Sequence, residues 1–362
     1  MVKNIVIAAG GTGGHIFPGL AIAEELIVNG YKVVWIGTRA GLEANLIPKS
    51  NIDIYYINIA GIRGKNWIAK ILATFNIVFA VLQSLIILYK LNPDKILGMG
   101  GFVTGPVGIA AWLLRKKLVI HEQNAIAGTT NRILLYFADH VLESFPNSFS
   151  HNHASKIILT GLPVRKNLLA FSSQQEVSNQ QERIFRILVL GGSRGAKFLN
   201  QIIPDALGTI ANIKILHQTG EQDFQSTYDM YVNKNIHGIH EIKPFIDNML
   251  DAYSNVDLVI CRSGAATIFE IMAVGLASIL VPLPWAIDDH QTKNALYLAD
   301  HNAAILVKQS DLTVEKLRNL VVELISEPKR IHAIKVAAKS LYKPYELNNS
   351  AHYISKIIGD LV

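Results

Sequence analysis

The chain has 362 residues, and at roughly 150 residues per domain that length points to two domains. Half of the residues are hydrophobic, 17% are charged and the mean hydropathy is +0.28, which excludes a disordered chain and predicts large cores. The 34 Lys and Arg against 28 Asp and Glu leave a formal charge of +6, an excess that suits an anionic substrate, an anionic membrane surface or nucleic acid. The single cysteine, Cys261, excludes an internal disulfide and fits a reducing, cytoplasmic compartment.

In chain order, residues 4–8 (NIVIA) read as a first strand, because the apolar run is too short for a signal-peptide core and passes directly into glycines. A helix is expected over about residues 18–29, with Pro18 in its first turn and Gly30 as its stop. Strands follow at 32–36, 95–97 and 118–120, a β–α–β rhythm. Between them lies an uncharged segment, 71–89, bounded by Lys70 and Lys90 and long enough to span a bilayer. At about 100° per residue, Ala73, Asn76, Ala80, Gln83 and Ser84 form a small or polar stripe along it. That stripe favours a core helix that also touches a membrane over a true span or an ordinary core helix. A polar stretch, SSQQEVSNQQE at 172–182, reads as a linker. The pattern then restarts with strands at 186–190, 214–218, 257–261 and 278–281, the signature of a second parallel sheet. Domains are expected at 1–163 and 164–342, with a helical tail over about 343–362 that returns to the first.

Both halves open alike, with a buried strand, a glycine cluster and a helix: IVIAAGGTGGH at 5–15 and ILVLGGSRGA at 187–196. Such turns permit close backbone approach, and the helix N-terminus offers unpaired N–H groups and about half a positive charge to an anion. Two further clusters, Gly98-Met99-Gly100-Gly101 and Ser263-Gly264-Ala265-Ala266-Thr267, make four, although a tight turn by itself also demands glycine. The first cluster lacks the third glycine of G-x-G-x-x-G, and the second strand ends Ile36-Gly37-Thr38-Arg39 with no acid for an NAD ribose, which disfavours NAD. The P-loop pattern also fails, because Ala196 separates Gly195 from Lys197 and no Ser or Thr follows.

A more specific likeness rests on seven segments. GGTGGHIFPGLAIA at 10–23, GMGGFVTGPVGIAAW at 98–112, HEQNAIAG at 121–128, GLPVR at 161–165, GGSRGA at 191–196, CRSGAATIFE at 261–270 and DDHQTKNA at 288–295 together resemble the MurG family of bacterial peptidoglycan glycosyltransferases. The likeness covers nearly the whole chain. It implies an α/β fold of the GT-B class, two Rossmann-like parallel-sheet domains facing across a cleft. It also implies an inverting transfer of N-acetylglucosamine from UDP-N-acetylglucosamine to the muramyl 4-hydroxyl of undecaprenyl-linked lipid I, forming the β-1,4 bond of lipid II.

The same resemblance places the nucleotide on the second domain. Glu270 is implied to accept from the ribose hydroxyls, and the Ile246 backbone to pair with uracil. Ser193, with the amides of the two second-domain turns, is implied to hold the diphosphate. Ala265, Ala266, Thr267, Ile268 and Phe269 count with Ser193 as the substrate-binding run up to Glu270. Arg165 adds charge from the connection between domains, and Gln291, with Asn294 one helical turn on, meets the donor sugar. Thr12, Gly13, Gly14 and Asn124 approach that sugar from the first domain. Phe102 departs from the family pattern, standing where Tyr is frequent, so any role of that hydroxyl is absent here. His290 departs too, since some relatives carry glutamine there.

The reaction needs a base for the acceptor hydroxyl. His15 is the first choice, because a helix N-terminus favours the neutral imidazole; Glu122 is the reserve, and each also reads as a purely structural residue. No metal and no cofactor are expected: there is no D-x-D dipeptide, and the pairs His151/His153 and His237/His240 lack evident further ligands. Nucleic acid lacks support, since the basic residues form no stripe with interleaved aromatics. Arg63, Lys65, Trp67, Lys70 and Lys90 around the apolar segment, with Trp112 and Arg115-Lys116-Lys117, point to peripheral attachment of the first domain to an anionic membrane surface. For a lipid-linked acceptor this is the cytoplasmic face of the bacterial inner membrane, where other cell-wall synthesis proteins are compatible partners. Two alternatives stay open: another UDP-sugar enzyme of the same fold, such as a glycolipid glucosyltransferase or a non-hydrolysing epimerase, and a membrane-bound binding protein with a degenerate nucleotide site.

Overall fold

A computed structural model describes residues 3–11, 13–60, 67–149, 151–169, 184–192, 195–208, 210–233, 240–346 and 349–360, without the side chains of 67–74, 151–153 and 287. The chain divides into two compact units, Met1–Pro163 with Leu347–Val362, and Val164–Glu346.

The first unit is built on seven strands: β1 (Asn4–Ala8), β2 (Lys32–Gly37), β3 (Asp53–Tyr56), β4 (Lys95–Gly98), β5 (Lys117–Glu122), β6 (His140–Glu143) and β7 (Ile157–Leu159). They lie in the order β3-β2-β1-β4-β5-β6-β7, all pairs parallel. Its helices are α1 (Gly13–Val28), α2 (Glu43–Leu46), α3 (Trp67–Leu91), α4 (Gly101–Leu113) and α5 (Thr129–Leu134). Alternate residues of β1 enter opposite cores. Ile5 and Ile7 join Ile22 and Leu26 of α1, while Val6 and Ala8 join Val103 and Val107 of α4. A strand buried on both faces must read as a continuous apolar run, which is why β1 and β5 are visible in the sequence.

The second unit repeats the plan with β8 (Phe185–Leu190), β9 (Ile213–Gln218), β10 (Glu241–Lys243), β11 (Leu258–Cys261), β12 (Ala277–Leu280) and β13 (Ile305–Leu306), in the order β10-β9-β8-β11-β12-β13. Its helices are α6 (Lys166–Leu169), α7 (Lys197–Leu207), α8 (Phe224–Asn233), α9 (Met249–Ser254), α10 (Ala265–Val274), α11 (His290–Ala299), α12 (Val314–Ser326) and α13 (Pro328–Glu346). The chain then returns to the first unit as α14 (Ser350–Asp360). Ile354 and Ile358 of α14 enter the core beside Ile5 and Leu26, Asn29 Nδ2 donates to Ser355 Oγ at 2.8 Å, and Lys95 Nζ donates to the Gly359 carbonyl at 3.0 Å.

In each sheet the strand order reverses once, between β1 and β4 and between β8 and β11. Ligands of doubly wound sheets sit at the carboxyl ends of strands beside such a reversal. The four glycine clusters are the four turns that follow these four strands.

One local expectation needs correction, and two features go beyond the sequence reading. Helix α1 starts at Gly13, not near Pro18, so Pro18 lies in its second turn. The shift places His15 in the first turn, close to the unpaired N–H groups. The short strands β3, β7, β10 and β13 carry half-buried or exposed positions throughout, so they lack the apolar run that reveals a central strand. In α3 the small stripe faces inward: Ala80, Ser84 and Leu88 are buried, Ser84 Oγ donates to the Ala80 carbonyl at 2.7 Å, and Gln83 Oε1 accepts from Asn58 N at 2.8 Å. Asn76 of the predicted stripe is exposed, and the Ala73 side chain lies outside the described residues.

Two fully buried histidines mark the cores. His121 donates from Nε2 to the Gly161 carbonyl at 3.2 Å and accepts from Gln123 at Nδ1; burial pushes its pKa down to about 4. His217 lies between Tyr231 and Asn200, and burial pushes it down to about 3. Both values lie below the ordinary 6.5, so the unfolded chain takes up protons that the folded chain refuses. The stability they confer is complete above pH 6.5 and is lost as the pH falls toward 4 and 3, with ~3 kcal/mol at stake for His121. The thermal midpoint is therefore expected to fall steadily below pH 6.5, and the fall to shrink in His217→Gln; a midpoint independent of pH would contradict the assignment.

Candidate active site

In the second unit the β8–α7 turn is pressed against its neighbours. A Cβ on Gly191 would strike the Ala196 backbone, and Gly195, at φ +75°, turns against the Thr219 carbonyl with no room for a side chain. Ser193 lies outside the described residues. The β11–α10 turn ends at Gly264, and α10 begins with Ala265, Ala266 and Thr267, whose N–H groups have no partner four residues back. Ile268 N donates to the Gly264 carbonyl at 3.0 Å. The Ile268 and Phe269 side chains are fully buried, Phe269 against Tyr345. An anion at this turn therefore meets positions 265–267, while 268 and 269 serve the core.

Glu270, further along α10, is only 8% exposed. Tyr253 Oη donates to its Oε2 at 2.9 Å, and Arg165 Nε lies 3.2 Å from its Oε1. Burial pushes the Glu270 carboxyl upward, and the Arg165 charge and the Tyr253 hydroxyl pull it back toward the ionised form. Two partners leave part of the carboxylate's acceptor capacity unused. Tyr253 was not anticipated, since α9 gives no apolar period in the sequence. Arg165 itself is half exposed.

Neutral amides fix the surrounding backbone. Gln218, at the end of β9, accepts from Ile246 N at 3.0 Å and donates to the Gly192 carbonyl at 3.1 Å. The Ile246 N–H is thus taken inside the protein, and its carbonyl is the group left for a base. Ile246 borders a groove of about 700 Å³ whose lining includes Lys214, Lys243, Phe245 and Asn248 but neither glycine turn nor Glu270. Gln291 accepts through Oε1 from Leu283 N at 3.0 Å, and its own carbonyl accepts from Ser263 Oγ at 2.8 Å. Asn294 is fully buried and donates to the Ser263 carbonyl at 3.1 Å, so it holds the turn.

In the first unit the imidazole of His15 lies against the β4–α4 turn. Ring atoms come within 3.4–3.6 Å of where a Cβ on Gly100 or Gly101 would stand, and both glycines have positive φ. A Cβ at either position would only touch the ring, and it is the positive φ of the two glycines that disfavours a side chain there. The Phe102 ring covers Gly11, with Cε1 at 2.9 Å from a Cβ position there, so the ring packs where a tyrosine hydroxyl is missing. Thr12 lies outside the described residues, while Gly13 and Gly14 form the start of α1. Glu122 accepts from Asn124 N, Asn124 Nδ2, Gly128 N and Asn131 Nδ2 at 2.8–3.2 Å. Four donors commit both of its oxygens to the loop that carries Asn124. Among the described residues no group of three His, Cys, Asp or Glu side chains is placed to hold a metal ion.

Two Rossmann-like sheets, with glycine turns at both reversal points and a buried carboxylate on the helix after one of them, define a GT-B glycosyltransferase fold. Models of the glycosyltransferase family 28 N-terminal and C-terminal domains match residues 5–143 and 186–347. The UDP-N-acetylglucosamine--N-acetylmuramyl-(pentapeptide) pyrophosphoryl-undecaprenol N-acetylglucosamine transferase of Pseudomonas syringae pv. tomato is 42% identical over 96% of this chain and 97% of its own. That of Methylococcus capsulatus is 45% identical over 94% and 95%. The crystal structure of Acinetobacter baumannii MurG superposes with a TM-score of 0.82 at 37% identity, covering 99% of this chain and all of that one. The chain belongs to this N-acetylglucosamine transferase family, the MurG family.

Proposed function

We propose that the protein transfers N-acetylglucosamine from UDP-N-acetylglucosamine to the muramyl 4-hydroxyl of lipid I, with inversion, and so makes lipid II. The observation that carries the reading is on the second unit. Helix α10 opens with three unpaired N–H groups and carries, less than two turns on, a buried carboxylate with acceptor capacity to spare. That is a site for a diphosphate beside a ribose. The Ile246 carbonyl suits the N3–H of uracil. Gln291 has its carbonyl oxygen committed, so its amide NH2 is the group for the sugar. The helix N-termini and Arg165 meet the charge that grows on the departing UDP, in place before the reaction begins.

His15 serves as the base, and its packing on Gly100 and Gly101 holds the ring in one orientation. Glu122, saturated by loop donors, acts by holding Asn124. Asn124, with the start of α1, approaches the donor sugar. UDP release that depends on added lipid I tests the overall reaction. In that assay His15→Ala should lower turnover by roughly two to four orders of magnitude with UDP affinity retained; near-normal turnover would end its candidacy. Glu270→Ala should weaken UDP binding by about 1.5 to 3 kcal/mol, and unchanged affinity by calorimetry would remove the ribose assignment.

The acceptor's lipid tail explains the apolar face of the first unit. Phe75, Val78, Phe79, Leu82, Ile86 and Tyr89 fall along one side of α3 at helical spacing and are all exposed, Phe75 by 70% and Tyr89 by 78%. Trp112 and Leu113 of α4 are half exposed, with Arg115, Lys116 and Lys117 directly after. Among the described residues no helix is long and apolar enough to cross a membrane. The stripe is read as a surface that lies in an anionic leaflet, peripheral and on the cytoplasmic side, with the basic residues at the headgroups. Arg63 and Lys65 lie outside the described residues, as do the side chains of Trp67 and Lys70. Flotation with anionic liposomes should show binding that falls as salt rises and weakens when Arg115, Lys116 and Lys117 are neutralised or Phe79 and Leu82 are changed to Glu. Binding indifferent to salt and released only by detergent would contradict it.

A further inference from the structure

The turn after the first strand of a doubly wound sheet is where nucleotide-binding units receive a pyrophosphate. In the first unit that place is filled by a side chain. Glu43, the first residue of α2, is fully buried. Its Oε2 accepts from Gly11 N at 3.1 Å, and its Oε1 accepts from Thr38 N and Thr38 Oγ1, both at 2.8 Å. The surrounding backbone is cut to fit it: a Cβ on Gly10 or Gly37 would stand 2.6 Å from the Glu43 side chain, and Gly41 has no room for one either. Its partners among the described residues are uncharged N–H and O–H groups. A carboxylate is kept inside a protein only when its oxygens are bonded in this way.

We propose that Glu43 is a built-in anion. It stands in for a phosphate at the β1–α1 turn, fixes Gly11 and with it the run that ends in His15, and bars a nucleotide diphosphate from the first unit. It is a positioning residue and touches no substrate. The inference rests on the reading of this turn as the one that carries the base.

Two variants test it. Glu43→Ala leaves a carboxylate-sized space, whereas Glu43→Gln keeps the volume and an acceptor for Thr38 but turns an NH2 toward Gly11 N. Both are expected to lower kcat about 10- to 100-fold, the cost of a misplaced catalytic group, with KM for UDP-N-acetylglucosamine and UDP affinity unchanged. Formate or acetate should restore turnover of Glu43→Ala saturably and leave Glu43→Gln unaffected. Normal turnover in Glu43→Gln, a loss shared equally by kcat and KM, or a folded Glu43→Ala that no carboxylate restores would each overturn the proposal. If Glu43→Ala does not fold, Glu43→Gln decides. His15→Ala is independent: normal turnover there, with a carboxylate-restored loss at Glu43, would reject His15 as base while keeping the anion at the turn.

Discussion

Turns made of glycine have backbone N–H groups and no side chains with which to satisfy them, and at the carboxyl edge of each sheet this shortage governs the structure. Every such group must find an acceptor or remain open for a ligand. The first unit answers with buried carboxylates, Glu122 and Glu143 at strand ends and Glu43 at the start of α2. Glu43 takes Gly11 and Thr38, Glu122 takes Asn124 and Gly128, and Glu143 takes Asn147 and Ser148. The second unit answers with carboxamides. Gln218 takes Ile246, Gln291 takes Leu283, and Asn200 and Asn294 donate to the carbonyls of Thr219 and Ser263.

The two chemistries have different electrostatic consequences. A carboxylate beside a helix N-terminus cancels the partial charge that would attract a phosphate, whereas a carboxamide fixes the same backbone and leaves that charge in place. Under the proposed site assignment the duplicated fold therefore serves two purposes. In that assignment the second unit leaves its α10 N-terminus for a diphosphate, and the Glu270 carboxylate beside it is tempered by Arg165 and Tyr253. In the first unit the proposed anion, Glu43, is already in place at Gly11 and Thr38, and Glu122 holds the Asn124 loop. Similar glycine clusters in the two halves thus do not imply similar ligands.

Much of this plan is readable in the sequence because central strands buried on both faces are apolar throughout, and glycine turns between strand and helix announce themselves. Less visible is anything that depends on a contact distant along the chain. Tyr253 reaches Glu270 across 17 positions and Gln218 reaches Ile246 across 28. Neither has a periodic or motif signal of its own. Glu43 is instructive for another reason. An acid for a ribose is absent at the end of β2, but one stands a few residues on and turns back to the glycine loop. Short peripheral strands escape for the opposite reason to central ones, since exposure on one side removes the apolar run.

Helix α3 shows how a hydropathy pattern acquires meaning only once packing is known. An uncharged helix with a small and polar stripe ordinarily turns that stripe to water. Here α3 packs along α4, and two helices approach closely only where their facing residues are small. Ala80 and Ser84 therefore go inward, with the Ser84 hydroxyl satisfied by the helix's own backbone. The bulky residues are left on the outside, Phe75 to Tyr89 in one row. Each apolar side chain held in water forgoes about 1.5–3 kcal/mol of burial, and a contiguous row of them is uncommon on a protein that meets only water. An apolar medium recovers that free energy without any change in the fold, and the acceptor assigned to this enzyme resides in one.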